Sequence, residues 1–230
     1  METRLTGSRA SAAVGDLGWR YLLGSLRTAV PVESLMRAAE VATLAVAACG
    51  DDADRHLVLD VRRGRVLLTL QSSEHAAVTT RDVDLAHRVS TAVGRLGLRT
   101  EPEVATGAPR SVQLMELAID ALDIASIRPF WKAVLGYADE PGAEGPRDPL
   151  VDPLGQGPAI WFQQMDGTRP QRNRIHFDVC VPHDEAQRRI DAALAAGGRL
   201  VSENRAPAFW VLADGEGNEA CITTWQGRDD

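Results

Sequence analysis

The chain of 230 residues can hold one large domain or two small ones, each with its own hydrophobic core. Its 44% hydrophobic and 25% charged residues are typical of a globular protein, and its net charge of −7 argues against nucleic acid or an anionic membrane as the main partner. The three cysteines, Cys49, Cys180 and Cys221, lack the paired spacing of a disulfide framework or zinc cluster. No signal-peptide segment and no apolar run long enough to span a bilayer is present, so we expect a cytoplasmic protein.

The first half alternates short strands with two helices. After a polar start that we expect to be mobile, the apolar pattern repeats the order strand, strand, helix twice. Pro31 is placed in the first turn of the first helix, and Thr79 or Thr80 caps the second. This order predicts an α+β sandwich, in which a four-stranded antiparallel sheet packs against helices. The predicted strands are 19–24, 26–30, 56–61 and 65–71, and the predicted helices are 32–48 and 80–96.

Trp19, the triplet Arg55-His56-Leu57 and the segment from Val78 to Ala86 resemble the pterin-4a-carbinolamine dehydratases, which use histidines as acid and base. The resemblance covers about residues 17–98 and implies a domain over 1–105. Of the family's three site histidines only His56 has a counterpart here, and Arg55 is a poor proton shuttle because a guanidinium stays protonated. The resemblance therefore implies a degenerate dehydratase with His56 and Arg55 as its remnant. The alternative role of His56 is a structural hydrogen bond at a strand end.

A segment rich in proline and glycine, residues 99–110, is predicted to be a linker. Beyond it the pattern gives two units of strand, helix and further strands, which predicts a repeat of βαβββ type. The first repeat contains a glycine- and proline-rich excursion over 141–157. The predicted strands are 112–119, 159–164, 174–181, 199–202, 209–212 and 218–224, and the predicted helices are 123–135 and 184–196.

The stretch from Asn173 to Val181 alternates with period two. Arg174, His176 and Asp178 share one face of the predicted strand, and its apolar residues share the other. Such a polar face suits the wall of a small-molecule pocket, and the alternative is a surface strand with solvated polar residues.

Three segments, Phe130–Gly136, Asn173–Asp178 and Ala213–Cys221, resemble the glyoxalase-like branch of the vicinal-oxygen-chelate (glyoxalase/bleomycin-resistance) superfamily. The resemblance implies a domain over 110–230, in which paired βαβββ units form a cupped sheet around one pocket. Metal-binding members carry one ligand on each of four strands. The corresponding positions are occupied here by Gln113, Trp161, Arg174 and Cys221, of which only Gln113 is an ordinary ligand. We therefore expect no metal and no other cofactor.

Further polar side chains fall on the same predicted strand faces. His176 and Glu219 can form a coupled acid–base pair, or alternatively a buried structural hydrogen bond. We expect Arg174 to bind an anionic oxygen of the ligand. The remaining candidate substrate-binding residues are Gln113, Trp161, Gln163 and Cys221.

These residues favour metal-independent acid–base chemistry of the lyase, isomerase or dehydratase type on a small polar, cyclic metabolite. His176 and Glu219 would move protons while Arg174 stabilises oxyanion charge. The alternatives are a protein that binds or sequesters a small molecule, such as an antibiotic, without turnover, and a residual pterin carbinolamine dehydratase. A homodimer without nucleic-acid or membrane partners is expected.

Overall fold

A computed structural model describes residues 2–104, 110–112, 115–168, 176–181, 183–224 and 226–227. The chain divides into two compact units, Met1–Leu114 and Met115–Asp230. Among the described residues, no helix is both long and apolar enough to cross a lipid bilayer. The predicted α+β class is confirmed, with one four-stranded sheet in the first unit and two in the second.

The main sheet of the first unit is antiparallel throughout, in the strand order β1-β2-β4-β3. Its core forms where the apolar face of the sheet meets the two long helices α2 and α4. The elements are α1 Gly7–Val14, β1 Arg20–Leu22, β2 Ser25–Pro31, α2 Leu35–Cys49, α3 Ala53–His56, β3 Leu57–Arg62, β4 Arg65–Leu70, α4 Thr80–Arg95, β5 Glu103–Val104 and β6 Arg110–Ser111.

Helix α4 begins where the sequence predicts, because Thr79 and Asp82 form a capping box. The Thr79 side chain accepts from the Asp82 N–H, and the Asp82 carboxylate accepts from the Thr79 N–H. Helix α2 begins later than predicted. Pro31 ends β2, where it is paired with Arg65, and Ser34 caps the helix. The Ser34 side chain accepts a hydrogen bond from the Arg37 N–H, which would otherwise be unpaired in the first turn of the helix.

The prediction of a mobile polar start is wrong. The polar start contains α1, whose Ala10 and Val14 are fully buried in the core. Within the predicted linker, Glu101 exchanges backbone hydrogen bonds with Ala29 of β2, and β5 pairs with β6 in a separate two-stranded sheet. Residues 105–109 of this segment lie outside the described residues. Neither segment shows strong local periodicity, so contacts with distant residues set its conformation.

The second unit contains two four-stranded sheets with the strand orders β7-β10-β9-β8 and β11-β14-β13-β12. Each follows the predicted order of strand, helix and three strands, and in each the last strand lies parallel to the first. The glycine- and proline-rich excursion contains the short strand β9. The elements are β7 Glu116–Ala121, α5 Ile124–Leu135, β8 Ala138–Asp139, β9 Leu150–Val151, β10 Ala159–Gln164, β11 Phe177–Cys180, α6 Ala186–Ala195, β12 Arg199–Arg205, β13 Phe209–Ala213 and β14 Glu219–Thr223.

One hydrophobic core joins the two repeats of this unit. Trp131 of α5 packs edge-on against Phe177 of β11, with their ring centroids 5.3 Å apart. The Glu216 carboxylate, which precedes β14, accepts hydrogen bonds from the N–H groups of Leu122 and Asp123 at the start of α5. The repeats are therefore connected by both apolar and polar contacts.

Candidate active site

Strand β11 and His176, the residue before it, have a polar face because their side chains alternate between two sides of the strand. Phe177 and Val179 pack against the core, so the intervening side chains point to the opposite face. His176 and Asp178 lie on that face and are exposed by 57% and 63%. The predicted common face of these two residues is therefore present.

Strand β14 brings a third group to this face. It pairs in parallel with β11, and Cys221 lies opposite Asp178. Ala220 and Ile222 point into the core, so Cys221 points the other way. A ring nitrogen of His176, a carboxylate oxygen of Asp178 and the Cys221 sulfur all lie within 4.8 Å of one another. We call these three residues the His–Asp–Cys cluster.

The closest charged contact in the cluster joins His176 Nε2 to Asp178 Oδ1 at 3.6 Å. Because both side chains are exposed, this ion pair contributes little to folding stability. Cys221 is different, since only 7% of it is exposed. The cluster thus combines a titratable pair open to solvent with a thiol at its buried side.

Glu219 occupies the position next to this cluster on β14. Phe177 pairs with Ala220, and His176 and Glu219 are the residues that directly precede these two in the sequence. The carboxylate found within ion-pair distance of His176 is that of Asp178. A pair between His176 and Glu219 stays a prediction.

The other predicted ligand-binding residues lie elsewhere or outside the described part of the chain. Trp161 and Gln163 are exposed on β10, in the first of the two sheets of the second unit. They alternate there with the buried Ile160 and Phe162. Gln113 and Arg174 lie outside the described residues. The predicted site thus has described members on both sheets of the second unit. On the second of these sheets, the cluster brings His176 and Cys221 together with Asp178.

The histidine of the first unit is enclosed by polar contacts. His56 is 4% exposed, and its Nδ1 donates a 2.9 Å hydrogen bond to Oδ1 of the fully buried Asp82. Its Nε2 lies 3.6 Å from Glu2 Oε1. Arg55 points to solvent and donates to Asp52 at 3.3 Å. This geometry supports the alternative role of His56 that the sequence leaves open, a structural hydrogen bond.

Sequence reasoning missed Asp178 as a partner of His176. Its signal was the alternation that already placed both residues on one face. The proximity of Cys221 carried no local signal, because it depends on the register between two strands far apart in the sequence. The sequence also presents Cys221 as an isolated ligand, whereas in the structure it lies beside a histidine and an aspartate.

The His–Asp–Cys cluster fits a divalent cation such as zinc by its donor types. Imidazole nitrogen, carboxylate oxygen and thiolate sulfur are the ligands zinc takes in proteins. Three protein ligands also leave a fourth position open, as catalytic zinc sites do. The expectation that the protein holds no metal stays a prediction, and these are the residues that would hold one.

Comparison with known proteins gives a family match for the second unit. Residues 116–223 match the family model described as a glyoxalase-like domain. A search of curated proteins found no match. The dehydratase resemblance of the first unit stays a prediction.

Solved structures similar to this chain cover about half of it. One is a hypothetical protein from S. aureus, with 15% identity and a TM-score of 0.40 over 50% of this chain and 95% of that chain. A glyoxalase/bleomycin resistance protein/dioxygenase family enzyme from Burkholderia phytofirmans PsJN has 20% identity and a TM-score of 0.38 over 49% and 98%. The fosfomycin resistance protein FosX from Mesorhizobium loti has 9% identity and a TM-score of 0.39 over 50% and 92%. Because residues 116–223 match the family model, we assign a glyoxalase-like domain to this part of the chain.

Proposed function

We propose that the glyoxalase-like domain binds a small polar molecule and transfers a proton to or from it through His176. The observation that carries this proposal is the 3.6 Å separation between His176 Nε2 and Asp178 Oδ1. A carboxylate next to one ring nitrogen favours one orientation of an imidazole. Asp178 is therefore the positioning residue for His176.

With Nε2 directed to Asp178, the second ring nitrogen, Nδ1, is the atom that exchanges a proton with the ligand. Imidazole takes up and releases a proton near neutral pH, so it serves as base in one direction and as acid in the other. The exposure of the His176 side chain, 57%, lets a ligand reach this nitrogen from solvent.

A lyase, isomerase or dehydratase reaction needs one group that takes a proton and another that returns one. We assign the second role to Glu219, which precedes Ala220, the residue of β14 paired with Phe177. Two neighbouring titratable groups of different type can hold opposite protonation states at neutral pH, which such a reaction requires.

The remaining predicted residues are assigned to ligand binding. Arg174 would bind a carboxylate, phosphate or enolate oxygen, and Gln113 and Gln163 would donate or accept hydrogen bonds. Trp161, whose side chain is 37% exposed, offers an aromatic face for stacking on a cyclic ligand. Cys221 lines the buried side of the cluster.

A divalent cation such as zinc, if bound, would be held by His176, Asp178 and Cys221. It would supply a Lewis acid that polarises a ligand oxygen. The proton transfer proposed here uses the side chains of the chain alone and predicts activity in the presence of a chelator.

A second candidate is binding of a small molecule without turnover. The observation that favours it is the openness of the site, since both His176 and Asp178 are more than half exposed. Catalytic groups are commonly shielded from water, which strengthens their electrostatic effect. A protein that only sequesters a ligand needs affinity for it, and its binding residues need not be shielded from water.

Hydrogen–deuterium exchange into a bound ligand tests proton transfer whatever the overall reaction is. Metabolites that co-purify with the protein are identified by unbiased mass spectrometry and then incubated with it in D2O. We expect wild-type protein to incorporate deuterium at a carbon of the ligand. His176→Ala should reduce the rate by about 100-fold or more, as loss of a general base does. Asp178→Asn should reduce it by a smaller factor.

The matched control is His183→Ala, an exposed histidine of the same unit outside the cluster. This variant should exchange deuterium at the wild-type rate. Binding without exchange in all proteins would establish the second candidate function. Loss of exchange in EDTA, with recovery on addition of zinc, would contradict the metal-independent reaction.

A further inference from the structure

The first unit has a groove of about 480 Å³ between helices α2 and α4. Small side chains create it, because alanines on facing helices leave space that larger residues would fill. Its volume lies in the range of small-molecule sites. The floor is apolar and consists of Leu44, Ala47, Ala48 and Ala92.

The rim of the groove comes from one face of α4 and is basic. Thr91 follows His87 and Arg88 by about one helical turn and precedes Arg95 by about one turn, so Thr91 lies between them on one face of the helix. Two guanidinium groups and an imidazole therefore border one apolar surface, on a chain whose net charge is −7. No residue lining the described groove is acidic.

The two arginines of the rim differ from other arginines on or next to these helices. Arg37 on α2 forms an ion pair with Glu40 at 2.5 Å, and Arg81 on α4 forms one with Asp52. Within the described part of the chain, Arg88 and Arg95 form no ion pair with a carboxylate. Their charges remain available to an anion that approaches from solvent.

We propose that this groove binds a small amphipathic anion. The apolar body of the ligand would lie on the alanine-rich floor, and its carboxylate or phosphate group would lie above Thr91 between Arg88 and Arg95. Guanidinium groups suit this task because they donate paired hydrogen bonds to planar or tetrahedral oxyanions. The site lies in the first unit and is independent of the His–Asp–Cys cluster.

A pair of fluorescent probes separates the contribution of the anion from that of the apolar body. 1-Anilinonaphthalene-8-sulfonate carries a sulfonate on an aromatic body, and N-phenyl-1-naphthylamine has the same body without charge. We expect Arg88→Ala and Arg95→Ala each to raise the Kd of the sulfonate probe by about tenfold, as loss of a charged hydrogen bond does. The neutral probe should change by less than about twofold, because it lacks the interacting group.

Two further variants control for position and for the groove itself. Arg99→Ala removes an arginine whose side chain is 86% exposed and which lies outside the groove, so it should leave both affinities unchanged. Ala47→Trp fills the groove and should abolish specific binding of both probes. Circular dichroism establishes that each variant is folded. Competition by decanoate and by decyl phosphate distinguishes a carboxylate from a phosphate ligand, and decanol, which lacks an anionic group, should compete more weakly than either.

The proposal is overturned if the Arg88→Ala/Arg95→Ala double variant binds the sulfonate probe with wild-type affinity. It is also overturned if Arg99→Ala weakens binding as much as the rim variants. Sedimentation of the wild-type protein and of Ala47→Trp tests a different occupant. A dimer that Ala47→Trp converts to a monomer would show that a second copy of the chain covers the groove.

Discussion

Trp131 donates a 3.0 Å hydrogen bond from its indole Nε1 to Oδ2 of Asp214, which ties the helix of one repeat to the loop before β14 of the other. Both residues are buried, and Asp214 is fully enclosed. Its carboxylate also accepts from the backbone N–H groups of Glu216 and Asn218 and from the Asn218 side chain. A buried carboxylate is tolerable here because these four donors replace the hydrogen bonds that water would make.

Asp214→Ala should therefore strongly destabilise the second unit. The change removes the acceptor of the buried indole N–H of Trp131 and of three part-buried donors, and we expect the free energy of unfolding to fall by about 3 kcal/mol or more. Urea unfolding followed by Trp fluorescence measures it. Asp191→Ala, an exposed residue of α6, is the control and should change stability by about 0.5 kcal/mol or less. An equally small effect at Asp214 would contradict its connecting role.

His56→Ala should destabilise the first unit, because it leaves the buried carboxylate of Asp82 without one of its donors. We expect a loss of about 2–3 kcal/mol, whereas Arg55→Ala, on an exposed side chain, should cost less than about 0.5 kcal/mol. Calorimetry of both variants measures the difference.

The same histidine gives a test of dehydratase activity. We expect little or no turnover of 4a-hydroxytetrahydropterin, because His56 is buried and hydrogen bonded and Arg55 stays protonated. Spectrophotometric assay of the purified chain checks this. Turnover that His56→Ala abolishes would show that the first unit is an active dehydratase.

Asp139 is expected to make the stability of the second unit depend on pH. Hydrogen bonds from Lys132 and from Arg128 hold the pKa of this carboxyl below its ordinary value. A lowered folded-state pKa contributes stability above the unfolded pKa, near 3.8, and that stability is lost as the pH falls through the folded pKa. Asp139→Asn should cost about 1–3 kcal/mol at pH 7 and flatten the pH dependence below about pH 4.

Thermal unfolding from pH 2 to pH 7 tests this expectation. The control is Glu185→Gln, which breaks an exposed ion pair with Arg188 and should cost about 0.5 kcal/mol or less. Parallel stability curves for wild type and Asp139→Asn throughout the acid range would refute the assignment.

The cysteines should differ in their rate of alkylation. Cys49 is 2% exposed, and burial, followed by the charge of Asp52, raises its pKa to about 11. At pH 8 only about one in a thousand Cys49 thiols would be ionised, while Cys180 is exposed. Iodoacetamide followed by peptide mass spectrometry should therefore modify Cys180 first. Modification of Cys49 at the same rate would show that α2 opens in solution.

Local sequence patterns determined the type and order of most elements. The apolar spacing of α4 and the capping pair Thr79 and Asp82 fix the start of that helix within a few residues. The period-two pattern from Phe177 to Val179 places His176 and Asp178 on one face of β11. These features depend on interactions between near neighbours in the chain, so they can be deduced without knowing the fold.

Only the tertiary structure decided which distant residues meet. The pairing of β11 with β14 sets Cys221 opposite Asp178, and a shift of one residue would turn Cys221 into the core. Burial of Ala10 and Val14 likewise makes a helix of a segment whose own pattern is weak. In both cases, segments far apart in the chain bury apolar surface against each other. The free energy of this burial selects the strand register and the helix, and no local sequence pattern encodes it.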